Sequence, residues 1–264
     1  MCRRIYGDRF THSIQPSEFI DFRIGIKYPN FTRRFLKPQV QFSSEGLVPF
    51  TPLPADYAFA MLEWGMNWTV AMYEFQRVII HSAVLAKDDY AILLPAPPGS
   101  GKSTATAYLE NNGWRLLSDE MALITKNTTQ VTPFVRPICL KNASIDLCKQ
   151  MFSHGTFSET AYKTHKGDVA HMSPQRHSIE EQSTPANIVG IVFPQYSKDI
   201  LLDIYPMDKT SAMVKFSENS FNFNFLGQQS FETNVHLIEN TRQFELHYSD
   251  LSEVNAFLNE EFCK

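Results

Sequence analysis

Residues 91–113 read AILLPAPPGSGKSTATAYLENNG, an apolar run, a Gly-rich turn and a helical run in immediate succession. No other stretch limits the fold as much. Gly99 and Gly101 allow backbone conformations that a Cβ would obstruct, and they let the chain pass close to another group. Consecutive N–H groups followed by a helix N-terminus offer donors and partial positive charge to an anion. Ala96-Pro97-Pro98-Gly99-Ser100-Gly101-Lys102-Ser103 therefore matches a phosphate-binding loop (Walker A pattern), with Ala96 where Gly usually opens it. Pro98, Gly99, Ser100, Gly101, Lys102, Ser103 and Thr104 are the candidate nucleotide-binding residues. Lys102 would neutralise the outer phosphates and the Ser103 hydroxyl would ligate Mg²⁺. The bland alternative is a Gly/Pro-rich surface turn; the flanking strand-like and helical runs favour the loop.

Those flanks organise the centre of the chain. VIIHSAVLA (78–86) and YAILLPA (90–96), separated by Lys87-Asp88-Asp89, read as a hairpin. A helix is expected from Lys102 to Asn111, with Gly113 as the left-handed residue after its end. WRLLS (114–118) and MALIT (121–125) read as strands on either side of Asp119-Glu120. Upstream, residues 55–75 recur apolar at Phe59, Leu62, Met66, Val70 and Tyr73, which is helical spacing; Asp56 favours the start, and Gly65 and Asn67 weaken the pattern. The first fifty residues read as strands and loops, and 126–187 as loop-rich and polar. IVGIVF (188–193), ILLDIYP (200–206) and the alternating FNFNFLGQQSF (221–231) read as strands, and 251–262 as a closing helix.

Asp119 and Glu120 follow the loop by only a short helix. If the strand ending at Ser118 lies beside the strand feeding the loop, a carboxylate lands near the metal and the terminal phosphate. There it could hold Mg²⁺ or take a proton from an attacking hydroxyl. The alternative is an acidic turn between two strands. His81 interrupts an apolar run, where a lone histidine is usually a satisfied core residue. Arg136, Lys141, Lys166 and His171 fall in polar segments and could bind phosphate or simply face solvent. His165, His171 and His177 recur every six residues, which fits neither one helix face nor a zinc motif.

Composition narrows the classes. With 43% hydrophobic and 20% charged residues in 264, the chain has the makings of a packed core. A net charge of −4 argues against a broad basic surface for duplex nucleic acid. Cys2, Cys139, Cys148 and Cys263 have neither disulfide-framework nor zinc-site spacing and fit reduced thiols of a cytosol. MCRRIYGDRFTHS is charged and lacks an apolar core, so no signal peptide is expected. No apolar run approaches the ~20 residues that span a bilayer, so a cytoplasmic protein without a membrane partner is expected.

Taken in order, His81-Ser-Ala-Val-Leu, AILLPAPPGSGKST and Gly113-Trp114-Arg115-Leu116-Leu117-Ser118-Asp119-Glu120 resemble the catalytic core of HPr kinase/phosphorylase. That family has a His-x-x-x-Leu strand before the loop and a G-H-R-L-x-x-D-D segment after its helix. The short interval from loop to acid pair is also similar to the phosphoenolpyruvate carboxykinase core. A closer resemblance is to the bacterial HPr kinase-related family A, through PFTPLP (49–54), EWGMNW (63–68), RPICLKN (136–142) and KGDVAHMSP (166–174). The resemblance implies that Asp119 is a general base and that His81 helps to bind phosphate. Glu120 stands where the family has a second Asp, with the same charge and one more methylene.

The resulting expectation is an α/β fold: a P-loop core with a mixed twisted sheet, resembling HPr kinase and phosphoenolpyruvate carboxykinase. A single kinase-like domain spans 1–264, with 1–76 as an N-terminal strand and helix extension and 77–264 as the core. The expected activity is Mg-ATP-dependent phosphorylation of a hydroxyl, such as a serine of a small protein or peptide, in a protein that could self-associate. Catalysis would fall to Asp119, His81 and Lys102, metal binding to Ser103, Asp119 and Glu120, and the acceptor or moving phosphoryl group to Arg136, Lys141 and Lys166. A small-metabolite kinase and a non-catalytic nucleotide switch are the alternatives, and pyrophosphate is an alternative donor.

Overall fold

The computed structural model describes residues 1–10 and 19–263. The chain opens with α1 (Cys2–Tyr6), β1 (Ile24–Lys27), α2 (Thr32–Phe35), β2 (Gln39–Ser44), β3 (Leu53–Pro54) and α3 (Ala58–Tyr73). Next come β4 (Arg77–Ile80), β5 (Ser82–Lys87), β6 (Tyr90–Pro95), α4 (Lys102–Asn111), β7 (Arg115–Ser118), β8 (Ala122–Thr125) and β9 (Gln130–Thr132). β10 (Ile138–Lys141), α5 (Ala143–Met151), β11 (Ala161–Thr164), β12 (Gly167–Met172) and α6 (Arg176–Glu180) follow. The chain closes with β13 (Ala186–Tyr196), β14 (Leu202–Pro206), α7 (Lys209–Ser217), α8 (Phe223–Leu226), α9 (Gln228–Asn240), β15 (Arg242–Tyr248) and α10 (Leu251–Phe262). The protein is mixed α/β with a mixed sheet, and among the described residues no sheet closes into a barrel. The chain divides into two compact units, Met1–Glu74 with Cys139–Ser173, and Phe75–Ile138 with Pro174–Lys264.

In the first unit, β1, β2 and β3 form one three-stranded sheet and β10, β12 and β11 another. Helix α3 serves both. Met61, with Leu62 and Trp68, packs on Val40 and Phe42 of β2, while Ala60 and Trp64 pack on Cys139, Ala161 and Val169. This double duty explains why its buried positions are Ala60, Met61, Glu63, Gly65, Thr69 and Val70, so that of the single stripe expected at Phe59, Leu62, Met66, Val70 and Tyr73 only Val70 is buried. Gly65 lies against the Phe42 ring so closely that a Cβ there would stand 2.3 Å from a ring carbon. The first fifty residues also hold two short helices, α1 and α2, where strands and loops are expected; part of that expectation falls on 11–18, outside the described residues.

The second unit is built on a nine-stranded sheet whose main path runs β4-β8-β9-β13-β6-β5-β7, with β15 beside β13 and β14 beside β15. β13 runs parallel to β6 and β15, while the other pairs are antiparallel. The β5–β6 hairpin forms as expected, with Lys87 opposite Tyr90 and Asp88 at positive φ in the turn. The apolar run before it divides at His81, however: β4 pairs with β8, and β5 pairs with β6 and β7. β7 is thus not the immediate neighbour of β6. Because β5 opposes both, β6 and β7 point the same way, and their carboxyl ends share an edge with the start of β5. Register places Ser82 opposite Pro95 and Val84 opposite Ser118.

Two other expectations are corrected. Residues 126–187 are not loop-rich, since they carry β9 to β12, α5, α6 and the start of β13. The Phe/Asn alternation at 221–231 forms α8 and the start of α9 rather than a strand, with Phe221, Phe225 and Phe231 exposed. Asn222 decides this locally. Its buried side chain accepts from the Ile79 N–H at 3.0 Å and donates to the Arg77 carbonyl at 2.9 Å, binding the segment to β4 through its side chain.

Candidate functional site

The chain leaves β6 at Pro95, crosses residues 96–101 and enters α4 at Lys102. Gly99 and Gly101 both adopt positive φ, 90° and 87°. Gly101 is the residue from which α4 starts, in left-handed conformation. The loop is fastened from the carboxyl ends of β13 and β15. The Tyr196 N–H donates to the Ser100 carbonyl at 2.9 Å, and the Tyr248 ring meets that of Tyr196 edge-on at 6.2 Å. Any Cβ at Gly101 would stand 2.6 Å from Tyr248 Oη, so Gly is required there for contact as well as for φ. Ser100 Oγ and Tyr248 Oη are buried without a hydrogen-bond partner among the described residues, and burial pushes the Tyr248 phenol well up.

Around this loop, four of the sequence-derived candidates come together. Lys102 is buried, and its Nζ lies 3.2 Å from His81 Nε2. An ammonium can only donate, so in a hydrogen bond from Lys102 the acceptor is His81 Nε2. His81 stays at the edge because its backbone N–H donates to the Asn219 carbonyl at 2.7 Å and its ring meets Phe221 at 5.5 Å. Beside them, Ser103 Oγ donates to Asp119 Oδ2 at 3.2 Å. Asp119 is buried at the end of β7, where Ser118 Oγ accepts the Met121 N–H at 3.0 Å and shapes the turn. The Glu120 carbonyl accepts the Ser82 N–H, tying the same turn to the start of β5.

A hydroxyl and a carboxylate in contact are the kind of oxygen donors that Mg²⁺ takes, with its remaining positions filled by water and phosphate oxygens. Ser103 and Asp119 fit such an ion on that chemistry. No group of three or more His, Cys, Asp or Glu able to hold a metal occurs among the described residues.

The remaining candidates divide. The chain carrying Arg136 passes beside β7, since the Phe134 N–H donates to the Leu117 carbonyl at 2.8 Å; the Arg136 guanidinium lies over the Phe134 ring. Lys141 and Lys166 belong to the first unit. Lys141 ends β10, where its N–H donates to Ser144 Oγ, and Lys166 lies over the Trp64 ring at 5.2 Å.

Sequence reasoning missed three features. Tyr196 and Tyr248 brace the loop from strands remote in the chain. Glu110, on α4, is buried; desolvation pushes its carboxyl up to about 7 even though Oε1 accepts the Gln175 N–H at 2.8 Å. Nothing in LEN marks that glutamate as buried. No helix among the described residues is long and apolar enough to cross a membrane. No protein-family model matches the chain, and no curated protein matches it.

Proposed function

We propose that the protein is a Mg-ATP-dependent phosphotransferase that phosphorylates a hydroxyl, most simply a serine of a small protein or peptide. One observation carries the proposal: His81, Lys102, Ser103 and Asp119 meet at one edge of the sheet, around a doubly left-handed Gly loop that opens a helix. Ligands of open α/β sheets collect at such carboxyl-terminal edges. The resemblance to the HPr kinase core assigns the same positions the same work.

In this reading the N–H groups of residues 99–103, at the start of α4, cradle the β- and γ-phosphates of ATP. Lys102, beside His81, neutralises charge on the outer phosphates. Ser103 and Asp119, with Glu120 as the further candidate, would hold Mg²⁺, which would supply positive charge against that of the phosphates. Asp119 accepts the proton of the acceptor hydroxyl as its oxygen bonds to the γ-phosphorus and ADP leaves. Arg136, on the stretch of chain passing β7, is proposed to grip the acceptor or the moving phosphoryl group.

The test is Asp119→Asn beside the wild type, with γ-labelled ATP, Mg²⁺ and a cell lysate as acceptor source. Loss of a general base lowers turnover by roughly 10²–10⁴-fold while ATP affinity, measured separately by calorimetry, persists. Label in a metabolite rather than a protein would move the acceptor class. Tight ATP binding with no transfer by the wild type would replace the kinase reading with a nucleotide switch.

A further inference from the structure

Outside the site, the connection between β1 and β2 carries a surface that the phosphotransferase reading does not use. Residues 27–37 read KYPNFTRRFLK, with four basic residues (Lys27, Arg33, Arg34 and Lys37) and no acid, in a chain whose net charge is −4. The same eleven residues expose large apolar side chains: Phe31 is 78% exposed, Leu36 72%, Phe35 67% and Tyr28 43%.

The segment has a defined local structure. Asn30 Oδ1 accepts the Arg33 N–H at 2.9 Å and the Thr32 hydroxyl at 2.7 Å, which fixes the turn into α2. Spaced four apart, Phe31 and Phe35 meet edge to face at 5.2 Å. The Arg34 guanidinium lies over the Phe35 ring at 5.6 Å and the Tyr28 ring at 6.0 Å. Exposed aromatic and aliphatic side chains thus share one short segment with four cations, and Arg34 lies over two of the rings.

We propose that this connection is a peripheral docking surface for an anionic lipid bilayer. Phe31, Phe35 and Leu36 enter the boundary between headgroups and acyl chains, and Lys27, Arg33, Arg34 and Lys37 meet lipid phosphates. Charge complementarity selects this occupant over the others. A second copy docked through the same patch would press four cations against four. A nucleic acid strand would match the charge, but Leu36 gives it nothing to stack on, and the two Phe rings are turned edge to face on each other. The sequence expectation of no membrane partner rests on the lack of an apolar span, which does not bear on surface contact.

The experiment is sedimentation of the full chain with sucrose-loaded vesicles at about 50 mM salt. Vesicles of phosphatidylcholine alone are compared with vesicles containing one third phosphatidylglycerol. The wild type is expected to partition to the anionic vesicles only, and to be released as salt is raised several-fold. Each cation near the surface contributes about a fivefold factor, so the double variant Arg33→Gln/Arg34→Gln loses roughly thirtyfold in partition. Phe31→Ser/Phe35→Ser, which keeps every charge, is expected to lose at least tenfold. Both pairs are on the surface, and unchanged thermal melting confirms that the fold is retained. Failure to bind anionic vesicles overturns the proposal, as does binding that neither variant weakens. Patch-dependent dimers or oligonucleotide binding, without vesicle partition, also overturn it.

Discussion

The sharpest test of the loop's construction is a pair of glycine substitutions that look equivalent in sequence. Gly99 and Gly101 have nearly equal φ, 90° and 87°, so alanine at either meets the same backbone strain, about 1–2 kcal/mol. Their surroundings differ. A Cβ at Gly99 meets nothing within 4 Å, whereas one at Gly101 stands 2.6 Å from Tyr248 Oη and 3.1 Å from Tyr196 Cβ. Both tyrosines sit on strands of the sheet and Tyr248 is buried, so neither can retreat cheaply; overpacking adds about 1–3 kcal/mol. Gly99→Ala should therefore cost about 1–2 kcal/mol and Gly101→Ala about 2–5.

Tyr248→Phe completes the cycle. It deletes the nearest contact and a buried hydroxyl with no partner among the described residues, so it sacrifices no protein hydrogen bond. In the Gly101→Ala background it should recover about 1 kcal/mol or more, while the remaining contacts at 3.1 and 3.5 Å keep the rescue partial. Urea unfolding at constant m-value measures all four proteins. Equal losses for the two glycine variants, or a Gly101→Ala cost untouched by Tyr248→Phe, would refute the reasoning. Both glycine variants should also bind ATP more weakly, because each changes the path of the N–H groups proposed to hold phosphate.

Two further perturbations follow from burial. Glu110 titrates near 7 in the fold against 4.5 when unperturbed, so the folded state holds its proton more tightly. Its stabilising contribution is complete below pH 4.5 and is lost as pH rises through 7, on the order of 3 kcal/mol. Glu110→Gln should flatten that part of the urea-midpoint profile between pH 4.5 and 8, and a profile of unaltered slope would show that another group is responsible. In α3, Gly65→Ala would ordinarily gain about 1 kcal/mol of helix propensity, but its Cβ meets three Phe42 ring carbons at 2.3–2.5 Å. Net destabilisation of up to about 2 kcal/mol is expected, relieved by Phe42→Leu in a melting experiment; a higher melting temperature for Gly65→Ala alone would count against the packing.

What the sequence made legible is what short-range chemistry decides. The bounds of α4 follow from the left-handed Gly101 before it and Gly113, at φ 92°, after it. The β5–β6 hairpin follows from an Asp-rich turn between two apolar runs. The misread parts depend on partners far away in the chain. β11 exposes Tyr162 and Lys163 between two buried residues, so it has no apolar run to announce it. FNFNF turns into α8 at Phe223 instead of running on as a strand, with the Asn222 amide before it bonded to β4, which alternation cannot encode. Strand order is the instructive case. Period-two patterning marks strands without saying which of them pair, and β5 stands between β6 and β7, whose adjacency the sequence left as a condition. The loop and Asp119 nonetheless reach the same edge, because two antiparallel steps restore the original direction. His81 gains its place by the same arithmetic: the strand inserted between the loop and the acid must start at the edge where its two neighbours end. The residue that breaks β4 from β5 is thereby delivered to Lys102.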